Sequence, residues 1–273
     1  MDDPPNSPAT AATASASRWR LGDATAMEIS RAVAEETAIG LLHDSRPCAV
    51  VMGTPADVED LAVWFTVTEG VAAFGDIQRV CVSATPDGLL ADVLLAPASG
   101  AGARLARRRT LESRSSCGLC GVESLQDAVR PTRVVAAGPR VTRAAIHAAL
   151  AALESGQILG PRTRAVHAAA WADEEGKVAF VREDVGRHNA LDKLIGAALR
   201  GGFDADSAFV VVTSRCSFEM VDKAAAAGVA LLVAISAPTA LAIRRAEAAG
   251  ITLVALARTD GHMVFTHRAR VIA

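Results

Sequence analysis

The chain has 273 residues, of which 51% are hydrophobic and 21% charged, with a formal net charge of −2. That composition builds a folded core and excludes a disordered chain, and the near-neutral balance excludes general polyelectrolyte attraction to DNA or RNA. Five cysteines, an odd number with one close pair, exclude a secreted disulfide framework and point to a reducing cytosol.

The opening residues, MDDPPNSPATAATASAS, start acidic, carry prolines and lack an apolar signal-peptide core. Residues 1–20 are therefore expected to be a disordered tail. No uncharged apolar run reaches membrane-spanning length, VALLVAI at 229–235 being the best and too short, so a cytoplasmic protein without membrane contact is expected. Residues 21–135 read as a smaller N-terminal α+β lobe and 136–273 as an α/β lobe.

In chain order, residues 32–44 and 47–53 read as strands. Thr54 before Pro55 reads as a helix start, the hydroxyl capping orphan N–H groups and the proline suiting the first turn. Val58, Leu61, Ala62 and Phe65 follow at helical spacing, and Gly70 ends the pattern. Strand-like runs come at 78–84 and 89–95. Residues 96–121, rich in Gly, Ser and Arg, read as a long functional loop. Thr142 opens a helix with Ile146, Ala149, Leu150 and Leu153 on one face and Gly156 at its end. AVHAAAWA and KVAFVRE flank DEEG as a hairpin. Helices at 188–199, 217–227 and 239–249 then alternate with the apolar runs 208–213, 229–235 and 251–257, and HMVFTH (262–267) follows.

This alternation predicts crossover connections and a buried sheet, mostly parallel or mixed. Such sheets bind ligands at the carboxyl ends of their strands, here 213–216, 236–239 and 258–261.

The close cysteine pair, Cys117 and Cys120, lies in SSCGLCG. Three chemistries fit the spacing. A structural zinc site needs two more ligands, but there is no second CxxC, and His147, His167, His188 and Cys216 are isolated in sequence. A thioredoxin-like dithiol should open a helix after a strand, whereas this pair follows an arginine-rich stretch. A sulfur carrier needs a reachable thiolate able to become a persulfide. Arg107, Arg108, Arg109 and Arg114 favour a thiolate there, as they also suit a solvated face, and Arg104 extends the basic run. Cys48, Cys81 and Cys216 sit in or beside apolar runs and read as small buried hydrophobes, with Cys216 nearest the strand ends.

VREDVGRHNALDKLIG (181–196) is the densest polar stretch. Ala190, Leu191, Leu194 and Ile195 form a helix face, with Asp192 and Lys193 read as exposed. Glu183, Asp184, Arg187, His188 and Asn189 crowd the start of that helix, where anions and nucleotides bind.

SSCGLCG, EDVGRHNALDKLIG, SFEMVDKAA and AISAPTALAI, with TPADVEDLA at 54–62, together resemble the FdhD family of formate dehydrogenase accessory sulfurtransferases from about Glu35 onward. The resemblance implies a cytidine-deaminase-like fold and a homodimer. It implies a sulfur carrier that takes sulfur from a cysteine desulfurase as a persulfide on Cys117, with Cys120 assisting transfer or resolving the persulfide. It also implies a formate dehydrogenase as client and, as bound substrate, that enzyme's molybdenum or tungsten bis(molybdopterin guanine dinucleotide) cofactor. The family's cofactor-binding segment matches Leu256, Ala257, Arg258, Thr259, Asp260 and Gly261, which is also a strand end in the reading above. Arg258, Arg215 and Arg187 are candidates for phosphate pairing, because guanidinium matches phosphate geometry. His167 is either a satisfied core histidine or a pocket donor. The alternative function is a cofactor-binding chaperone whose cysteines are incidental.

Zinc-deaminase chemistry is not expected. His167 is followed by Ala168 and Ala169, and Ser116 precedes Cys117, so the glutamate that would shuttle protons is missing and no metal site is expected. Two departures from the family pattern stand out. Thr163, Arg164 and Ala165 replace Thr-Gly-Gly, with Arg164 offering a phosphate contact, and Ser214 replaces a glycine.

Overall fold

The computed structural model describes residues 9–22, 24–97, 133–135 and 138–273. The six-stranded sheet is organised around the most apolar runs of the chain. β10 (Ala208–Val212), β11 (Leu231–Ala234) and β12 (Thr252–Arg258) are parallel and lie at its centre. β8 (His167–Asp173) and β9 (Val178–Asp184) form the expected hairpin on one side, and β13 (Gly261–Val264) pairs antiparallel with β12 on the other. The sheet is thus mixed, one of the two arrangements anticipated.

Alternation along the central strands sends side chains to opposite faces. Val210, Val212, Leu232, Ala234, Leu253 and Ala255 pack under α4 (Arg187–Gly201), α5 (Phe218–Ala226) and α6 (Ala240–Ala249). Phe209, Val211, Leu231, Val233 and Val254 pack under α2 (Arg143–Gly156). α2 and α6 begin as predicted, with Thr142 Oγ1 accepting from the Ala145 N–H at 3.0 Å and Thr239 Oγ1 from the Ala242 N–H at 3.1 Å.

The N-terminal part holds a four-stranded sheet in the order β4 (Arg46–Gly53), β3 (Thr37–His43), β6 (Gly88–Leu95), β5 (Ile77–Thr85). Ile39, Leu41, Leu89, Ala91 and Val93 bury one of its faces against α1 (Val58–Thr68). α1 lies between this sheet and α4, and Trp64 reaches the main core. The crossing is close: a Cβ added at Gly196 of α4 would stand 1.9 Å from the Asp60 carbonyl oxygen.

Three expectations are corrected. Residues 32–44 are not one strand; the chain breaks between β2 (Met27–Ala34) and β3. Ala11–Arg18 is not part of a disordered tail but forms β1, paired antiparallel with β2 in a separate two-stranded sheet. Its Ala, Ser and Thr residues form an exposed ladder with little side-chain burial, so no apolar period announced it. Thr54 does not cap α1, which begins after Asp57 in a left-handed conformation (φ 51°). Thr54 instead bonds to the other lobe, as described next. Among the described residues, no helix is long and apolar enough to cross a membrane.

Candidate functional site

The carboxyl ends of β9 and β10 and the amino end of β8 meet at one edge of the main sheet, because β8 runs antiparallel to both. His167 pairs with Asp184 across the hairpin. The Ala168 N–H donates to Thr213 Oγ1 at 2.9 Å, so the loop after β10 is laced to the start of β8.

Asp184 is fully buried and saturated with donors. It accepts from Lys193 Nζ at 2.6 Å, from the Gly186 N–H at 2.7 Å, from the Thr54 N–H at 3.0 Å and from Asn189 Nδ2 at 3.2 Å. Lys193 Nζ also donates to the Thr54 carbonyl at 2.8 Å, Asn189 Nδ2 to the Met52 carbonyl at 2.8 Å, and the Val185 N–H to Thr54 Oγ1 at 3.1 Å. TPADVEDLA and EDVGRHNALDK are therefore partners that close the two lobes onto each other.

The expectation that Asp192 and Lys193 are exposed is overturned: Lys193 is 0% and Asp192 5% exposed. Lys193 is turned inward because Asp184 and the β4 end offer it a complete set of acceptors. Asp192 faces α5, where Lys223 Nζ donates to both its oxygens at 2.7 Å. Burial raises the Asp192 carboxyl and Lys223 partly offsets this. Glu183 accepts from the N–H groups of Ile158, Leu159 and Gly160 at 2.7–2.8 Å, shaping the turn into the short helix α3 (Gly160–Thr163). Most of the polar string is thus consumed in holding the edge together.

What the string leaves at the edge is cationic. Burial lowers the His167 pKa, and Arg187, His188 and Arg215 lower it further while Asp184 opposes them. These groups therefore share one electrostatic neighbourhood, and His167 is biased to the neutral imidazole that can donate or accept. Arg187 Nε is buried without a hydrogen-bond partner among the described residues. Arg215 is exposed, and Ser214 beside it is 3% exposed, its hydroxyl donating to the Arg215 carbonyl at 2.9 Å.

Sequence reasoning assigned no role to one acid at this edge, Glu219. Glu219 Oε2 lies 3.5 Å from His188 Nε2 and accepts from Ser217 Oγ at 2.6 Å. Burial pushes the Glu219 carboxyl up, yet the bonds from His188 and Ser217 outweigh it and hold it at about 2. The signal was a serine two residues before a glutamate at a helix start, inside SFEMVDKAA.

The other predicted residues fall as follows. Leu256, Ala257, Arg258, Thr259, Asp260 and Gly261 lie at the end of β12 and its turn into β13, on the same sheet edge but beyond β11. Arg258, Thr259 and Asp260 are exposed, whereas the Ala257 side chain packs into the core at 1% exposure. Leu256 bends the strand in a left-handed conformation (φ 52°), its N–H donating to the Ser236 carbonyl at 3.2 Å. Cys216 is 0% exposed, and burial pushes its thiol up to about 12, so it is an inert core residue at the strand end. Cys117, Cys120 and the nearby arginines lie outside the described residues. Among the described residues, no cluster of His, Cys, Asp and Glu is arranged to hold a metal.

The fold and site define an α/β protein with a cationic strand-end edge, its two lobes locked by a buried ion pair. The chain matches the FdhD/NarQ family over residues 34–272 and belongs to it. It is 46% identical over 239 residues to the sulfur carrier protein FdhD of Xanthomonas euvesicatoria, covering 87% of this chain and 85% of the relative. It is 44% identical over 265 residues to the protein of the same name from Cupriavidus necator, covering 96% and 91%. A crystal structure from Desulfotalea psychrophila, described as a formate dehydrogenase accessory protein, superposes with a TM-score of 0.75 at 23% identity, covering 97% of this chain and 100% of that one. The last likeness concerns the fold alone.

Proposed function

We propose that the chain is a sulfur carrier in formate dehydrogenase maturation. Its donor is a cysteine desulfurase and its acceptor the molybdenum or tungsten bis(molybdopterin guanine dinucleotide) cofactor, bound as substrate. The observation that carries the reading is the gathering of Arg187, His188 and Arg215 around His167, in a chain whose relatives are named sulfur carriers.

The Cys117 thiolate attacks the outer sulfur of the donor persulfide. The donor S–S bond breaks, the donor cysteine leaves as thiolate, and Cys117 carries the persulfide. Arg187 and Arg215 pair with substrate phosphates, Arg258 and the turn to Gly261 extend the contact along the edge, and neutral His167 donates or accepts a hydrogen bond. Cys120 assists transfer or resolves the persulfide: its thiolate attacks Cys117 Sγ, the terminal sulfur leaves as hydrosulfide and goes to the bound cofactor substrate, and a small-molecule thiol reduces the resulting disulfide. The fold acts as a binding scaffold of the cytidine-deaminase type without deaminase chemistry. A homodimer in the cytoplasm completes the reading.

The test is mass spectrometry after incubation with desulfurase and cysteine. A gain of one sulfur atom on the peptide containing Cys117, absent in Cys117→Ala, is expected, together with loss of formate oxidation in a strain carrying that variant. An unmodified peptide with formate oxidation intact in the variant strain overturns the reading; an unmodified peptide with cofactor still bound points to a cofactor chaperone instead.

A further inference from the structure

The β1–β2 hairpin is a two-stranded sheet separate from the two larger ones. β2 is the strand that meets the body: it packs against α3, and Arg31 Nη2 donates to the Thr163 carbonyl at 3.5 Å. An arginine-lined groove runs between hairpin and body, with Arg18 and Arg31 facing Arg162 and Arg164 as like charges. β1 is the outer strand and pairs in its sheet with β2 alone. The Glu35 N–H donates to the Thr10 carbonyl at 3.0 Å, and in an antiparallel ladder hydrogen-bonded pairs alternate with open ones. Even-numbered residues of β1 therefore turn their backbone groups toward β2, whereas Ala11, Thr13, Ser15 and Ser17 turn theirs outward. Among the described residues, no strand or loop bonds to that outward side. Between Ala11 and Ser17 the edge carries no charge and no proline, the usual guards against strand pairing. The register also puts Ala12, Ala14 and Ala16 on one face with Met27, Ile29 and Val33, and Met27 and Val33 are 51% and 37% exposed. Two strands alone are marginally stable in water, and further strands sharing an apolar face are what such a sheet lacks.

We propose that β1 pairs edge to edge with β1 of a second copy, antiparallel about a two-fold axis at Ala14. The inference rests on the homodimer of the proposed function and names the edge that joins it. The outward backbone groups select the register. Ala11 faces Ser17 across the axis and Thr13 faces Ser15 as hydrogen-bonded pairs, while Ala12 faces Ala16 and Ala14 faces its own copy as open pairs. Every outward N–H and C=O between residues 11 and 17 is then bonded. Alanine meets alanine on one face, and hydroxyl meets hydroxyl at Thr13 and Ser15 on the other. The two Arg18 side chains fall at opposite ends of the new ladder, so no like charges stand opposite each other. The product is one sheet in the order β2–β1–β1–β2 with a continuous apolar face. Any extended strand offers backbone groups; the like-with-like matching and the uncharged edge favour a second copy over a strand of another protein.

The full chain is sedimented over a concentration series in reducing buffer, and a monomer–dimer equilibrium is expected. In the dilute monomer the hairpin amides exchange fast, and those of Ala11, Thr13, Ser15 and Ser17 gain protection as the dimer forms. Thr13→Pro combined with Ser15→Pro deletes outward donors and spares the bonds to β2, so it is expected to raise the dimer dissociation constant at least about ten-fold with circular dichroism unchanged. Open pairs of an antiparallel ladder bring Cα atoms to about 4.5 Å, within the ~4.4–6.8 Å that a disulfide spans. Ala14→Cys, mildly oxidised, is therefore expected to form a disulfide joining position 14 of two copies, mapped by peptide mass spectrometry. Ala12→Cys lies on the same face but stands about 13 Å or more from its own copy, and it is expected not to cross-link to itself. The proposal is overturned by equal cross-linking at positions 12 and 14, or by a dimer whose dissociation constant is unchanged in the proline variant, which leaves the homodimer standing on another face. A chain monomeric at every concentration overturns it together with the homodimer and leaves the edge to a strand of another protein. In each case the sulfur-carrier reading stands, because no step of the sulfur route uses the hairpin.

Discussion

His167 illustrates how much a single side chain owes to its surroundings. Its imidazole is kept neutral first by burial and then by the field of Arg187, with His188 and Arg215 adding to it and Asp184 opposing. An anion seated between those arginines cancels part of that field. Proton NMR of His167 should therefore show a pKa below the ordinary 6.5 in the free protein and a rise on adding phosphate, the rise being lost in Arg187→Gln. No rise, or a rise unaffected by the substitution, would separate Arg187 from the site. The linkage has a definite sign. With the folded-state pKa depressed, the unfolded chain takes up the proton first, so His167 costs stability as pH falls below about 6.5. Glu219 acts in a lower window: its stabilisation is present above the unfolded value of 4.5 and is lost as pH falls from there toward about 2.

At the scale of elements, α4 is the joint of the molecule. Its first turns carry Asn189 and Lys193 to the end of β4, and Asp192 reaches Lys223 of α5. Arg200, in its last turn, pairs with Asp60 of α1 at 2.5 Å, and Arg182 of β9 pairs with the same carboxylate at 2.8 Å. Lys193→Met removes the cation and leaves the Asp184 carboxylate buried, a change that costs about 3–5 kcal/mol when one partner of a buried pair is deleted. Chemical denaturation should show that loss, and adding Asp184→Asn should recover part of it. A loss well under 1 kcal/mol would mean the pair contributes little to closing the lobes.

Across the whole molecule, stability is distributed unevenly. β10, β11 and β12 are covered by helices on both faces, whereas β1 and β2 pair only with each other and leave most side chains in water. Native-state hydrogen exchange should be slowest at 208–212, 231–234 and 252–258 and fastest across 11–18 and 27–34. Comparable protection of the hairpin in the free protein would mean that it packs on a second chain. The family model matches from residue 34, whereas the similarity to the Cupriavidus necator relative covers 96% of this chain and so takes in most of the hairpin.

Much of this architecture was legible without coordinates. The apolar runs that became β10–β12, the capping threonines Thr142 and Thr239, and the hairpin of β8 and β9 obey local rules spanning a few residues, and a linear string displays such rules in full. The strand-end position of Arg215 was legible for the same reason, whereas the convergence of Arg187 and His167 on it came only with the fold. The fate of polar side chains was not. Thr54 looks like a cap and serves as a tie to Asp184 and Val185; Lys193 looks solvated and is the most deeply buried cation of the joint. Glu219 drew no notice until α5 set it against His188. The arginine groove unites positions 18 and 31 with 162 and 164. In each case at least one partner lies about thirty residues or more away in the chain, as Thr54 does for Lys193 and His188 for Glu219, and burial depends on every element packed around a group. Sequence by itself determined the family and the elements of the larger lobe in their order, because those follow local apolar patterns; only the tertiary structure decided which charges close the lobes, because that depends on side chains brought together from distant positions.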